Sequence, residues 1–140
     1  MWSDKTYIQS SAHARVWTTR KDNEEWLEHQ ILEKERRSKG IMFWGSFIGG
    51  QKGPGLVWDD RWGKMNARTY SEHIIPLVDN WIHGHCPRGT IFIQDNAPCY
   101  KAAHSMAEIR ARGIEVIGWP PYSPDLNPIE HVWSWMKDYI

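Results

Sequence analysis

The distribution of apolar and polar positions divides the chain into two halves. In the first half, β-branched and aromatic residues cluster in short runs, which predicts strands at residues 14–18 and 41–48. A turn at residues 49–53 precedes a third run, residues 55–58, that can return antiparallel to the second. The highly charged stretch at residues 22–38 has few apolar anchors and is predicted to be an exposed helix. This half is therefore predicted to be a meander.

From Asn66 onward the pattern changes to alternating helices and strands, which favours parallel pairing. Asn66 is predicted to cap a helix that Pro76 breaks or bends, and Gly113 is predicted to end another. The remaining elements predicted here are strands at 90–94 and 114–119, a helix at 101–112, and a final helix after a loop at 120–125. Antiparallel strands followed by such a half indicate an α/β fold, a ribonuclease H-like mixed sheet flanked by helices.

Composition narrows the class of protein. The 140 residues fit one domain, and 41% hydrophobic with 24% charged residues is ordinary for a soluble globular chain. No apolar run approaches the roughly 20 residues that span a bilayer, and no signal-peptide pattern opens the chain, so an intracellular, soluble protein without a membrane partner is expected. Cys86 and Cys99 lack metal-ligand spacing and are expected to be reduced. The 17 basic residues are balanced by 17 acidic ones, so most contacts with the phosphates of a DNA substrate are expected to come from outside these 140 residues.

Two acidic residues lie at positions that favour a catalytic or ligand-binding role, although each also has a purely structural interpretation. Asp95 follows the apolar run that ends a strand, where open α/β sheets place ligands, but it could simply begin an Asx turn. Glu130 fits the third position of a helix with Asn127 as N-cap and Pro128 at the first position, so it could be a capping-box glutamate. Spacing alone leaves both interpretations open.

The sequence motifs around these two acids favour a catalytic role over the structural interpretations. The segments QDNAPCYKA at residues 94–102 and WPPYSPDLNPIEHVW at residues 119–133 closely resemble the mariner-like superfamily of DDE transposases. In that family one aspartate lies in a DNAP motif and the third acid follows an SPDLNPIE-type segment. Thirty-four residues lie between Asp95 and Glu130, the spacing of the family branch with a glutamate as third acid. The family's first aspartate, in a short apolar-Ser-Asp segment, maps onto Asp4.

The resemblance implies a function and a site. Asp4, Asp95 and Glu130 would be both catalytic residues and metal ligands, holding two Mg²⁺ or Mn²⁺ ions, and no covalent protein intermediate is expected. The chain would be the metal-dependent DNA endonuclease and strand-transferase core of a cut-and-paste transposase. Its partners would be the DNA of transposon ends and targets, the full-length protein could be a homodimer, and its location would be the nucleus. Hard cations require oxygen ligands, which explains a set of carboxylates.

Two positions depart from the family pattern. Position 5 is Lys5, where relatives commonly have a second acid, and Tyr100 stands where many have histidine. Lys5 is expected on the opposite face of its strand from Asp4, because side chains alternate along a strand. These departures leave room for a degenerate or domesticated transposase remnant that binds nucleic acid or protein without catalysis. A paired-carboxylate glycosidase is a remote third possibility.

The resemblance also implies that residues 1–140 are a DDE catalytic domain truncated at both ends, without the helix-turn-helix modules that precede this core in the family. Only three residues precede Asp4, which predicts a shortened central strand. At the other end, Trp133, Met136 and Ile140 are predicted to form an apolar stripe without a partner. Low stability and weak activity are therefore expected of these 140 residues.

Overall fold

The computed structural model describes residues 1–8, 40–120, 123 and 126–139. The strand predicted at residues 14–18 and the helix predicted at residues 22–38 lie outside this part of the chain. Within it, strands and helices follow one another in the predicted alternation. They are β1 (Trp2–Ile8), β2 (Ile41–Ile48), β3 (Gln51–Val57), α1 (Ala67–His73), α2 (Ile75–His85), β4 (Ile91–Phe92), α3 (Pro98–Lys101), α4 (Ala103–Ala111), β5 (Glu115–Val116) and α5 (Ile129–Asp138), with a 3₁₀ turn at Asp60–Trp62.

The first three strands form the predicted antiparallel meander. β1 pairs with β2 along its whole length, and β2 pairs with β3. The turn between β2 and β3 is shorter than predicted, because Gly49 adopts a left-handed conformation (φ 55°) that closes a tight hairpin and lets β3 begin at Gln51. β1 has seven residues, an ordinary strand length, because it continues four residues beyond Asp4. That this strand is shortened relative to the family's stays a prediction.

The second unit of the sheet is parallel, as predicted. β4 pairs parallel with β5, although both are shorter than the runs at 90–94 and 114–119 that the sequence suggested. Ile93 bonds to the other neighbouring strand, β1: its N–H donates to the carbonyl of Met1 at 2.8 Å, and its carbonyl accepts from Ser3 N–H at 3.0 Å. This parallel bridge to β1 joins the two units in the order β3-β2-β1-β4-β5. The sheet is therefore mixed.

The helices begin and end largely where local chemistry requires. The Asn66 side chain accepts from Thr69 N–H at 3.0 Å and caps α1, and the helical run breaks at Ile74, just before Pro76. The single helix predicted at 101–112 is instead two helices, because Ala102 is extended (ψ 139°) and separates α3 from α4. Gly113 (φ 68°) follows α4 as predicted.

Helices cover both faces of the sheet. The main core lies on the face carrying Trp44, where Tyr70 and Phe92 are also fully buried. On the other face α5 contacts β1, and Trp133 is buried with its ring 5.7 Å from that of Phe43, edge to face. Trp133 therefore has a packing partner, contrary to the prediction of an open stripe, while Ile140 is outside the described residues.

The two cysteines lie apart in the fold: Cys86 is half-buried at the end of α2, and Cys99 is buried in α3. Across the described residues, no helix is long and apolar enough to cross a membrane.

Candidate active site

Asp4 lies on the central strand and faces α5. It pairs across the sheet with Gly45, and the space above Gly45 is filled by the rings of Phe43 and Trp133. The Asp4 side chain is 5% exposed, and its Oδ1 accepts from the Lys5 backbone N–H at 2.7 Å. The pKa of Asp4 is raised to about 7: burial is the largest cause, the nearby carboxyls of Asp95 and Glu130 add to the increase, and the hydrogen bond from the Lys5 N–H acts in the opposite direction. Asp4 therefore holds a proton far more readily than an ordinary aspartate.

Asp95 lies in the loop that follows β4, the strand next to β1. Its Oδ1 accepts from Ala97 N–H at 2.9 Å, so the Asx turn considered from the sequence does form. The turn fixes the carboxyl without removing it from the site, since Asp95 still acts on the pKa of Asp4. The residues on either side of Asp95 are held by hydrogen bonds. Buried Gln94 accepts from the Tyr70 hydroxyl at 2.7 Å, and Asn96 Nδ2 donates to the Trp119 carbonyl at 3.0 Å.

Glu130 lies in the first turn of α5. The helix begins at Ile129, one residue later than the predicted start at Pro128, and Asn127 Oδ1 accepts from the Ile129 N–H at 3.4 Å. The N-cap is therefore Pro128 and not Asn127 as predicted, because the helical hydrogen bonding begins one residue later, and α5 has no side-chain cap or capping box with Glu130. The Glu130 carboxyl instead contributes to the raised pKa of Asp4, on the neighbouring strand β1.

The three acids come from three separate elements and form one electrostatic group around Asp4. The charged side chains of the described residues that act on the pKa of Asp4 are both acidic, so the group lacks a basic partner there. A buried carboxyl next to two others is costly unless it is protonated or binds a cation. Carboxylate oxygens are the ligands that Mg²⁺ and Mn²⁺ prefer, so the residues present fit such ions.

The side chains of the three acids do not already surround a position for an ion. Among the described residues, no three carboxylate, imidazole or thiol groups are close enough to form a preformed metal cage. Glu130 is exposed, which is consistent with like-charged groups that remain apart. The arrangement can therefore bind divalent cations only if its side chains move together as the ion neutralises them.

Contacts beneath the site were not foreseen from the sequence. Lys5 pairs across the sheet with Trp44 and so lies on the core face, opposite to Asp4 as predicted. Its ammonium is 4.8 Å from the centre of the Tyr100 ring, and that ring lies 4.7 Å from the ring of Tyr70. No periodicity or spacing links positions 5, 70 and 100, so only the folded structure reveals this contact. The Trp2 and Trp119 rings, 5.5 Å apart and edge to face, were likewise missed.

Comparison with known sequences gives consistent relatives. The chain is 28% identical over 138 residues to the Tcb1 transposase of Caenorhabditis briggsae, and 28% identical over 137 residues to the Tc1 transposase of Caenorhabditis elegans. Each alignment covers 96% of this chain and 49% of the relative. The chain thus spans about half the length of these relatives.

Comparison with solved structures supports the fold and, with the sequence family, identifies the chain. The Mos1 transposase in a paired-end complex with the left transposon end matches 98% of this chain and 40% of its own, with a TM-score of 0.75 and 20% identity. The crystal structure of the Mos1 mariner transposase catalytic domain matches 72% of this chain and 52% of its own, with a TM-score of 0.61 and 25% identity. These likenesses confirm the ribonuclease H-like α/β fold. Because the sequence profile of the DDE superfamily endonucleases matches residues 2–140, nearly the whole chain, this protein belongs to that family.

Proposed function

We propose that this chain is the nuclease and strand-transfer core of a cut-and-paste DNA transposase, with Asp4, Asp95 and Glu130 as its catalytic acids. The observation that carries the proposal is the coupling of Asp4, on the central strand, to an acid after β4 and an acid at the start of α5. Membership of the DDE endonuclease family and likeness to Tc1-type transposases support it.

The chemistry follows from the substrate. In cleavage, a water oxygen forms a bond to phosphorus while the bond from phosphorus to the 3′ oxygen breaks, which leaves a 3′ hydroxyl and a 5′ phosphate. In strand joining, that 3′ hydroxyl attacks a second phosphodiester in the same manner. Two divalent cations would supply activation of the attacking oxygen and stabilisation of the leaving one. Solved Mos1 catalytic-domain structures contain Mg and Mn, which is consistent with this metal class.

In this proposal, the chain's own residues contribute position and charge. Asp4 is fixed by its strand and by the Lys5 N–H, and Asp95 is fixed by its Asx turn, so these two carboxyls provide a rigid pair. Glu130 is exposed on the first turn of α5 and completes the set of oxygen ligands from the opposite side. Neutralisation of the three charges on ion binding would release the proton that Asp4 otherwise retains.

The partners proposed for the whole protein are the DNA of transposon ends and of target sites, with a homodimer as its assembly and the nucleus as its location. Relatives support the nucleic-acid partner: Mos1 transposase is observed with a transposon end and in a strand transfer complex. The zero formal net charge of these 140 residues implies that contacts outside this core supply much of the affinity for phosphate.

The proposal predicts that Mn²⁺ binding and DNA nicking both depend on the three acids. Asp95→Asn and Glu130→Gln should each weaken Mn²⁺ binding by at least about tenfold, because each removes a charged ligand. Asp138→Asn, at the far end of α5, is the matched control and should bind as the unaltered chain does. Calorimetry with Mn²⁺ and nicking of a supercoiled plasmid are the measurements.

The outcomes separate the alternatives. Mn²⁺ affinity that is equal in all four proteins would contradict the site. Acid-dependent Mn²⁺ binding without nicking, in the presence of saturating Mn²⁺, would favour a remnant that retains the fold and binds without catalysis.

A further inference from the structure

The two positions that depart from the family's sequence pattern are in contact with each other. Lys5 follows Asp4 on β1, and Tyr100 follows Asp95 by five residues, in α3. Although 95 positions apart in sequence, they meet with the Lys5 ammonium 4.8 Å from the centre of the Tyr100 ring. This distance is within the range of a cation–π interaction, in which a cation is attracted to the face of an aromatic ring.

The surroundings favour a strong contact. Tyr100 is 1% exposed, so its ring is not solvated, and Lys5 is only partly exposed on the face that carries buried Trp44. Among the described residues, no carboxylate is within ion-pair distance of the Lys5 ammonium, which leaves the ring as its observed partner. A desolvated cation over a ring is held more firmly than an exposed one.

The contact continues to the second acid. The Tyr100 ring packs against the Tyr70 ring at 4.7 Å, and the Tyr70 hydroxyl donates to Gln94 at 2.7 Å inside the core. Gln94 directly precedes Asp95. A continuous series of side chains on the core face of the sheet therefore connects Lys5, which follows Asp4, to Gln94, which precedes Asp95.

We propose that Lys5 and Tyr100 are positioning residues that set the separation of Asp4 and Asp95 through this series. The proposal rests on the function proposed above for those acids. Lys5 would act without contacting the ion, because it lies on the opposite face of β1 from Asp4. Their effect is to hold β1 against α3, so that the two carboxyls are spaced for a cation before it arrives.

The charge of Lys5 allows this role to be distinguished from simple electrostatics. If Lys5 acted only as a nearby positive charge, its removal would strengthen the binding of a cation, because repulsion would decrease. If Lys5 instead holds β1 in place, its removal weakens binding of the cation even though a repulsive positive charge has been removed. Tyr100 provides an independent comparison, since replacing it with leucine changes no charge.

The experiment is a calorimetric Mn²⁺ titration of the 140-residue chain and its variants. Lys5→Met, which retains an apolar stem, and Tyr100→Leu should each weaken binding about three- to tenfold, because each removes the cation–π contact that holds β1 against α3. Lys5→Arg and Tyr100→Phe keep the cation and the ring, so they should remain within about twofold of the unaltered chain. The double variant Lys5→Met with Tyr100→Leu should be no weaker than the weaker single variant.

Thermal unfolding of each variant without metal shows whether it is folded. If Tyr100→Leu does not fold, Lys5→Met and its rescue by Lys5→Arg still decide the question. Unchanged or stronger Mn²⁺ binding in folded Lys5→Met would overturn the positioning role, as would Tyr100→Phe that binds as poorly as Tyr100→Leu. Asp95→Asn is the separating control: if it binds Mn²⁺ as well as the unaltered chain, the proposed function fails and this inference fails with it.

Discussion

At the scale of single residues, Asp4 has the most unusual environment in the described part of the chain. An aspartate normally ionises near pH 4, but burial and two neighbouring acids raise the pKa of Asp4 to about 7. Between these values the folded chain binds more protons than the unfolded chain. The contribution of Asp4 to stability is therefore most favourable below about pH 4 and is lost as pH rises through 7.

Asp4→Asn should consequently stabilise the metal-free protein at alkaline pH. The amide carries no charge to bury and can still accept from the Lys5 N–H. At pH 8 in a chelating buffer, we expect the variant to gain on the order of 2–4 kcal/mol in free energy of unfolding, since each unit of pKa difference corresponds to about 1.4 kcal/mol. Urea titrations at pH 8 and pH 4 are the measurement. A variant that is less stable than the unaltered chain at both pH values would contradict this account.

At the scale of elements, the approach of α5 to the sheet depends on Gly45. A methyl group at this position would lie 2.8 Å from Phe43 Cε1 and 2.8 Å from Trp133 Cη2, closer than carbon atoms can pack. Glycine therefore permits the close contact of β2 with the helix that carries Glu130. The site depends on this contact because Glu130 lies three residues before Trp133, one turn along the same helix.

Gly45→Ala should destabilise the fold and displace the third acid. We expect a loss of about 1–3 kcal/mol from overpacking, together with weaker Mn²⁺ binding as α5 shifts. Gly50→Ala is the control, because a methyl group there has no neighbour within 4 Å. Both effects can be measured by thermal unfolding and calorimetry. Equal melting temperatures for the two variants would show that the Phe43 and Trp133 rings move aside at little cost.

Sequence reasoning succeeded where a residue's own chemistry decides the structure. Asn66 at a helix start and Gly113 at a helix end require only local geometry, and both were predicted. It failed where distant parts of the chain compete. The apolar run continues to Ile93, but β4 pairs with β5 only at Ile91 and Phe92, and Ala102 looked helical, but it separates α3 from α4.

For the candidate site, too, prediction from the sequence succeeded for some features and failed for others. The three acids could be selected from motif resemblance, and in the folded chain Asp95 and Glu130 both contribute to the raised pKa of Asp4. The pairing of Lys5 with Tyr100 could not be predicted, because the strand register and the packing of α3 together decide which side chain meets the ring. Whether the acids bind metal and cleave DNA stays a prediction.

At the scale of the whole molecule, metal binding and folding should be linked. An ion that binds only the folded state stabilises it, by about 2.7 kcal/mol at 100 times its dissociation constant. Protons compete with the ion for the acids, and the raised pKa of Asp4 makes that competition relevant near neutral pH. The stabilisation should therefore depend on pH over the physiological range.

We expect Mn²⁺ to raise the melting temperature more at pH 8 than at pH 6, because Asp4 is mainly ionised only at the higher pH. Glu130→Gln should reduce the increase at both pH values. Scanning calorimetry with and without Mn²⁺ measures the effect, and Mg²⁺ provides a second ion of the same charge. A larger increase at pH 6 than at pH 8 would be inconsistent with a site centred on Asp4.

The backbone hydrogen bond between Ser3 and Ile93 has a consequence for how the molecule folds. These residues are 90 positions apart, and their backbone bond, together with the Ser3 hydroxyl bond to the Ile93 carbonyl at 3.0 Å, is what places β4 beside β1. Contacts between such distant segments form slowly, because a long loop must close before they gain any stabilising energy. On a ribosome, the hairpin of β2 and β3 can form early, while Asp4 has no second acid beside it until the residues around Asp95 emerge. The three acids would thus be brought together only in the late steps of folding, after most of these residues have been synthesised.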